Sequence, residues 1–170
     1  MVVVLMGVAG SGKSTIGQML ARALGADFRD ADDLHSPENR DRMRHGIQLS
    51  DDDRQPWLAA VCALINKYEN MGCEKARVNA VVACSALKEA YRATLFAGAK
   101  DVRLVYLKGS PELIAQRLAG RRSHFFDPAL LRSQFEALEE PRGAIVIDIT
   151  GPPTQITRAI VMALRSREAE

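Results

Sequence analysis

No charge of one sign dominates this chain: 23 Lys and Arg stand against 21 Asp and Glu, a formal charge of +2. That excludes the concentrated basic surface of a nucleic-acid binder and leaves no long-range pull toward an anionic membrane. Cysteine is scarce. Cys62, Cys73 and Cys84 are odd in number and spaced evenly by eleven. This matches neither a CxxC metal pair nor a secreted disulfide scaffold, so they read as free thiols in a reducing compartment. No apolar run is long enough to span a bilayer. The opening MVVVLMGVAG has no preceding basic region and carries a glycine loop where a signal-peptidase site would stand, so it reads as a buried strand of a cytoplasmic protein. Internal repeats, low-complexity tracts and compositional breaks are missing too. Residues 1–170 are accordingly expected to form one domain, which at this length buries roughly 70% of the surface its unfolded chain exposes.

What is present is an alternation of element types. Apolar, β-branched runs stand at Val2 to Met6, Val78 to Ala83, Val102 to Leu107 and Ala144 to Ile149, with a weaker fifth at Asp27 to Ala31. They are continuously hydrophobic, as parallel strands covered on both faces are. Between them run helical patterns, punctuated by Gly25, Gly46 and Gly72 as C-terminal glycines and by Ser36-Pro37, Ser110-Pro111 and Asp127-Pro128 as N-cap and first-turn pairs. The pattern predicts a three-layer α/β/α domain with a mostly parallel sheet, whose ligands bind at the carboxyl ends of the strands.

Directly after the first run comes Gly7-Val8-Ala9-Gly10-Ser11-Gly12-Lys13-Ser14, which meets G-x-x-x-x-G-K-[ST] at every position and leads into a helical pattern from Thr15 to Leu24. Its glycines let backbone N–H groups wrap phosphate oxygens, and the helix adds its positive end. Lys13 supplies charge to the β- and γ-phosphates of ATP, and the Ser14 hydroxyl suits Mg²⁺. A small-molecule kinase, a switch GTPase and a motor-like ATPase share this loop. Two GTPase decoys fail on context: Asn66-Lys67-Tyr68-Glu69 lies inside a helical pattern, and Asp148-Ile149-Thr150-Gly151 comes too late in the chain.

After the second strand stands Asp30-Ala31-Asp32-Asp33-Leu34-His35, where an extended D-x-D sends Asp30 and Asp32 to one side. Kinase chemistry needs one carboxylate near the metal and one near the acceptor hydroxyl. Of the 23 basic residues, 17 are Arg and 6 Lys, and guanidinium suits bidentate contact with phosphate or carboxylate.

In order along the chain, GVAGSGKST, DADDLHSPEN, MRHGIQLSDDDRQPWL, ACSALKEAYR, VYLKGSPELIAQRL and RRSHFFDPALLRSQFEALEEP resemble segments of the gluconate kinases (gluconokinases), relatives of the nucleoside monophosphate and shikimate kinases. Shikimate kinases share the glycine loop and D-x-D but not the LHSPEN, DDDRQPWL and ACSALK-x-x-YR blocks. The resemblance covers almost the whole chain. It implies a P-loop kinase domain with a five-stranded sheet in the order 2-3-1-4-5, a mobile lid over about 117–127, transfer of phosphate from ATP to D-gluconate, and suggests a homodimer. Rival acceptors are shikimate, a nucleotide or another sugar acid; a non-catalytic nucleotide-binding module is the rival of another class.

Residue by residue, the resemblance makes Lys13, Asp32 and Arg121 catalytic, with Asp32 orienting the primary hydroxyl or serving as its base. Gly7, Gly10, Ser11, Gly12, Lys13, Ser14, Thr15, Arg117 and Arg121 would hold ATP, with Arg117 against adenine and Arg122 a further lid arginine. Ser14 and Asp30 would hold Mg²⁺, Asp30 through a water. Asp32, His35, Arg54, Lys88, Arg92 and His124 would hold gluconate. Arg54 suits the carboxylate unless it pairs with its aspartate neighbours, and Lys88 and Arg92, one helical turn apart, can meet one anion. Ser85 reads as the N-cap of the helix that follows it, Trp57 as core and Cys84 as a packed thiol.

Overall fold

The computed structural model describes residues 1–71, 77–120 and 128–168. Its sheet has five parallel strands in the order β2-β3-β1-β4-β5: β1 Val2–Met6, β2 Asp27–Asp30, β3 Ala80–Ala83, β4 Val102–Lys108 and β5 Ile145–Asp148. This is the order the resemblance implied. Strands β2, β3 and β5 are shorter at their ends than the runs that announced them, because Ala31 turns away and Val78 and Ala144 only lead in, while β1 matches its run and β4 extends one residue further, to Lys108.

Strand β1 explains the continuous hydrophobicity. Val3 and Leu5 face one helical layer while Val2, Val4 and Met6 face the other, and all five are fully buried. The first layer comprises α1 Lys13–Leu24, α5 Pro111–Ala119 and α7 Pro153–Glu168; its Ile16, Leu20, Ile114, Ile156 and Ile160 pack against Val3, Leu5 and Leu107. The second comprises α3 Asp51–Glu69 and α4 Glu89–Leu95; its Trp57, Leu58, Val61, Ile65 and Leu95 pack against Val2, Val4 and Met6. Each such side chain contributes about 1.5–3 kcal/mol relative to exposure. Trp57 is core, as expected, and its Nε1 donates to the Ala31 carbonyl at 2.7 Å.

Local signals set the helix ends. Ser36 and Ser110 cap α2 Pro37–Arg44 and α5 with their hydroxyls, each followed by proline, and Gly25 closes α1 in the left-handed region. Ser50 and Asp53 form a reciprocal capping box at the start of α3. Asn66 to Glu69 lie in the last turn of α3, which removes the GTPase-like tetrapeptide from any strand end. The last described helix before β5 is α6 Pro128–Glu136. Gly72, Cys73, Asp127 and the lid span from residue 121 onward lie outside the described residues.

Candidate active site

The glycine loop joins β1 to α1 at the carboxyl end of the central strand. Gly10 and Gly12 take φ of +83° and +95°, and a Cβ on Gly10 would stand 2.8 Å from Leu118 Cγ on α5, so the loop lies too close to that helix for a side chain. Ser11 is fully buried, and its hydroxyl has no hydrogen-bond partner. Lys13 Nζ donates to the carbonyls of Gly7 and Val8 at 3.0 and 3.1 Å, which holds the ammonium against the loop itself.

Ser14 Oγ donates to Asp30 Oδ2 at 2.6 Å, while Asp30 Oδ1 accepts from the Asp32 N–H at 3.2 Å. The D-x-D is therefore not extended. Asp30 ends β2 and caps one turn of 3-10 helix, Ala31–Leu34, and the turn, rather than strand alternation, brings Asp32 into the cleft. Asp32 is open to the cleft yet flanked by protein. Desolvation raises its carboxyl above the usual range, Asp30 adds to the rise and the Lys13 ammonium opposes it. Ser14 and Asp30 present hard oxygen donors of the kind Mg²⁺ takes. Among the described residues no three His, Cys, Asp or Glu gather as a metal cage, so a cation there would draw its remaining ligands from water and phosphate.

Beside this pair opens a cleft of about 300 Å³, walled by Lys13, Asp32, His35, Arg54, Lys88 and Tyr91. His35 is buried and stacks on Trp57, ring centroids 4.6 Å apart and 6° from parallel; its Nδ1 has no partner. Burial above all, then Arg54 and Arg40, lowers its pKa to about 4, so the ring is neutral at physiological pH.

The charged corner of the cleft is built from two elements, α3 and the start of α4. Lys88 Nζ sits 2.9 Å from both carboxylate oxygens of Asp51, and the Tyr91 hydroxyl donates to the same carboxylate. These contacts, Tyr91 first, lower the Asp51 pKa. Arg54 lies with its guanidinium 5.9 Å from the Tyr91 ring centre. The neighbouring aspartates do not neutralise it: Asp53 is taken by Ser50 and Arg42, and Asp51 by Lys88 and Tyr91. Arg54 Nε is buried without a partner, and its NH2 group makes one long contact, 3.4 Å, to the Leu49 carbonyl. The corner thus holds two cations, Lys88 and Arg54, and one carboxylate, Asp51, which pairs with Lys88 alone, and this leaves a positive excess in a polar cleft.

Two expectations are corrected. Arg92 does not join Lys88 on an anion; it is buried and donates to the carbonyls of Ala86 and Leu87, both at 2.9 Å. Those bonds support a loop in which Ala86 takes φ of +46°, a region costly for a residue with a Cβ. Lys88, not Ser85, is the N-cap of α4, so Lys88 leaves the chain before the helix begins, and Ser85 lines the cleft. Arg117 belongs to α5 and donates to the carbonyl of Ile149, just past β5. Cys84 is a packed thiol whose pKa is pushed up to about 12, mainly by burial. Arg121, Arg122 and His124 lie outside the described residues. The sequence did not single out Asp51 or Gln134: Asp51 stands in a run of three aspartates that the structure places in the first turn of α3, and nothing local ties Gln134 to a loop 125 residues away.

Known proteins resemble this chain along most of its length. A family described as an AAA domain matches residues 2–141. A probable gluconokinase of Mus musculus is 41% identical over 184 aligned positions, spanning 96% of this chain and 97% of the relative. The thermosensitive gluconokinase of Escherichia coli is 41% identical over 95% of this chain and 88% of its own. Among solved structures, a gluconokinase from Sinorhizobium meliloti superposes with a TM-score of 0.85 at 40% identity, covering 96% of this chain and 91% of the other.

Proposed function

The chain belongs to the gluconokinase family, and from that premise we propose that it transfers the γ-phosphoryl group of ATP to the primary hydroxyl of D-gluconate, giving 6-phospho-D-gluconate and ADP. The observation that carries the reading is the pairing, in one cleft, of a phosphate-binding loop and raised-pKa Asp32 with a corner holding one more cation than carboxylate.

Each residue then has a task. Arg54 and Lys88 bind the gluconate carboxylate, Arg54 through a guanidinium that lines the cleft with only one long protein contact, to the Leu49 carbonyl. Neutral His35 lines the cleft and faces the sugar acid without adding charge to it. Asp32 accepts the hydrogen bond of the primary hydroxyl and takes its proton as the new O–P bond forms and the bond from the γ-phosphorus to the bridging oxygen breaks. A carboxylate with a raised pKa is better matched to that proton than an ordinary one. Glycine-loop N–H groups, with Gly7, Ser11 and Thr15, hold the phosphates while Lys13 meets the charge on the transferring group. Ser14, and Asp30 through a water, would hold Mg²⁺, which would supply charge neutralisation to the phosphates. Arg117, on α5 with its guanidinium bonded to the Ile149 carbonyl just past β5, is the residue we assign to adenine.

The test is ADP release with ATP and Mg²⁺ against D-gluconate, D-glucose, shikimate, nucleoside monophosphates, other aldonates and no acceptor. Release that depends on gluconate supports the reading. Release with a different acceptor overturns the choice of substrate, and ATP binding with no release anywhere overturns the kinase.

A further inference from the structure

Part of the cleft wall belongs to α6, which contributes Leu130, Ser133 and Gln134, with Ala137 just beyond it. Gln134 does more than line the wall. Its Oε1 accepts the Ala9 N–H at 2.6 Å, a bond from α6 into the middle of the glycine loop. Because Ala9 N–H is a donor, the amide oxygen must face it, and this leaves Nε2 as the other end of the side chain. Five residues on, the same segment grips the loop after β3. Glu139 N–H donates to the Leu87 carbonyl at 2.9 Å, and Glu139 Oε2 accepts from the Glu89 N–H at 2.5 Å. Residues 134–139 therefore span from the arm of the phosphate loop to the loop that carries Ser85, Leu87 and Lys88.

The chemistry of position 134 is specific. A loop N–H beside a phosphate site needs an acceptor when no phosphate oxygen serves it, yet a carboxylate there would repel the nucleotide. A neutral amide meets both demands. We propose that Gln134 is a positioning residue: it fixes the Val8–Gly10 arm of the phosphate loop relative to the acceptor pocket and so aligns the γ-phosphoryl group with the acceptor hydroxyl. This rests on the kinase reading above but not on the choice of gluconate as acceptor.

Gln134→Met keeps the bulk and removes the acceptor; Gln134→Glu keeps the acceptor and adds a charge. For Gln134→Met, kcat for transfer should fall about tenfold with KM for ATP within about threefold, and acceptor-independent ATP hydrolysis should rise relative to transfer. Gln134→Glu should recover part of that ratio while raising KM for ATP about tenfold. A merely structural role would lower the thermal midpoint of Gln134→Met and leave the hydrolysis-to-transfer ratio per folded enzyme unmoved. If Gln134→Met keeps both kcat and that ratio within about twofold of the parent, the proposal is overturned. Should the parent enzyme prefer another acceptor, the same ratio is read with that acceptor, so loss of the gluconate reading leaves this test intact.

Discussion

The two halves of the cleft are made of different material. The phosphate side is one unbroken stretch, Gly7 to Ser14, and its working groups are mostly backbone N–H donors whose direction is set by glycine conformations and a helix start. The acceptor side is assembled from side chains: Asp32 and His35 around the 3-10 turn, Asp51 and Arg54 on α3, Lys88 and Tyr91 at α4, Gln134 on α6. Backbone geometry can recur unchanged wherever phosphate is bound. A set of side chains on four elements can be altered one at a time, so the acceptor side is where specificity resides.

Substitutions that separate the halves test this contrast. The largest effect is expected on the phosphate side. Lys13→Met should cut kcat by about 10²–10³ with every acceptor alike, as loss of one preorganised charge at a transferring phosphoryl group does. Stopped assays on gluconate and on the weaker acceptors of the panel read this directly, and a deficit confined to gluconate would break the comparison. Next comes Arg54→Met, which keeps the apolar stem. It should raise KM for gluconate by about 10–100-fold, the worth of a charge-assisted hydrogen bond, while KM for ATP and acceptor-independent hydrolysis stay unchanged. Arg54→Lys should not rescue it, because an ammonium lacks the planar fork. A parallel rise in KM for ATP would show that the halves are not separable.

The smallest effect at neutral pH is expected from His35→Gln, and it sharpens the comparison by acid titration. Since the folded pKa of His35 is lowered to about 4 from 6.5, the unfolded chain binds a proton that the folded protein refuses throughout that window. Stability therefore rises with pH between about 4 and 6.5 and is lost as pH falls through it, by up to about 3 kcal/mol. Thermal midpoints of the parent should drop across this range, and His35→Gln should flatten that part of the curve. An unchanged slope would mean that His35 is not held neutral.

The same contrast explains what could be read from the sequence. Strands, helix caps and the glycine loop are local or periodic, and they were legible in Val2 to Met6, Ser36-Pro37, Ser110-Pro111 and Gly7 to Ser14, whereas the order of the strands followed only from the family resemblance. Arg92 misled because i,i+4 spacing brings two side chains together only when both residues are helical. Lys88 sits at φ −91°, ψ 147°, outside the helix, while Arg92 turns inward to a strained loop. Asp32 reaches the cleft as expected but by a turn, since the bond from its N–H to Asp30 competes with extension of β2. Gln134 and Asp51 acquire partners 125 and 37 residues away, and no window of sequence carries that information.

Asp32→Asn tests the centre of the scheme most directly, because Asp32 stands where the two halves meet. ATP affinity by titration calorimetry and gluconate phosphorylation by ADP release are measured on the same preparation. Unchanged ATP affinity with transfer lowered by at least about 10² is the expected result for a residue that orients and deprotonates the acceptor. Near-normal transfer, or loss of ATP binding together with transfer, would contradict it.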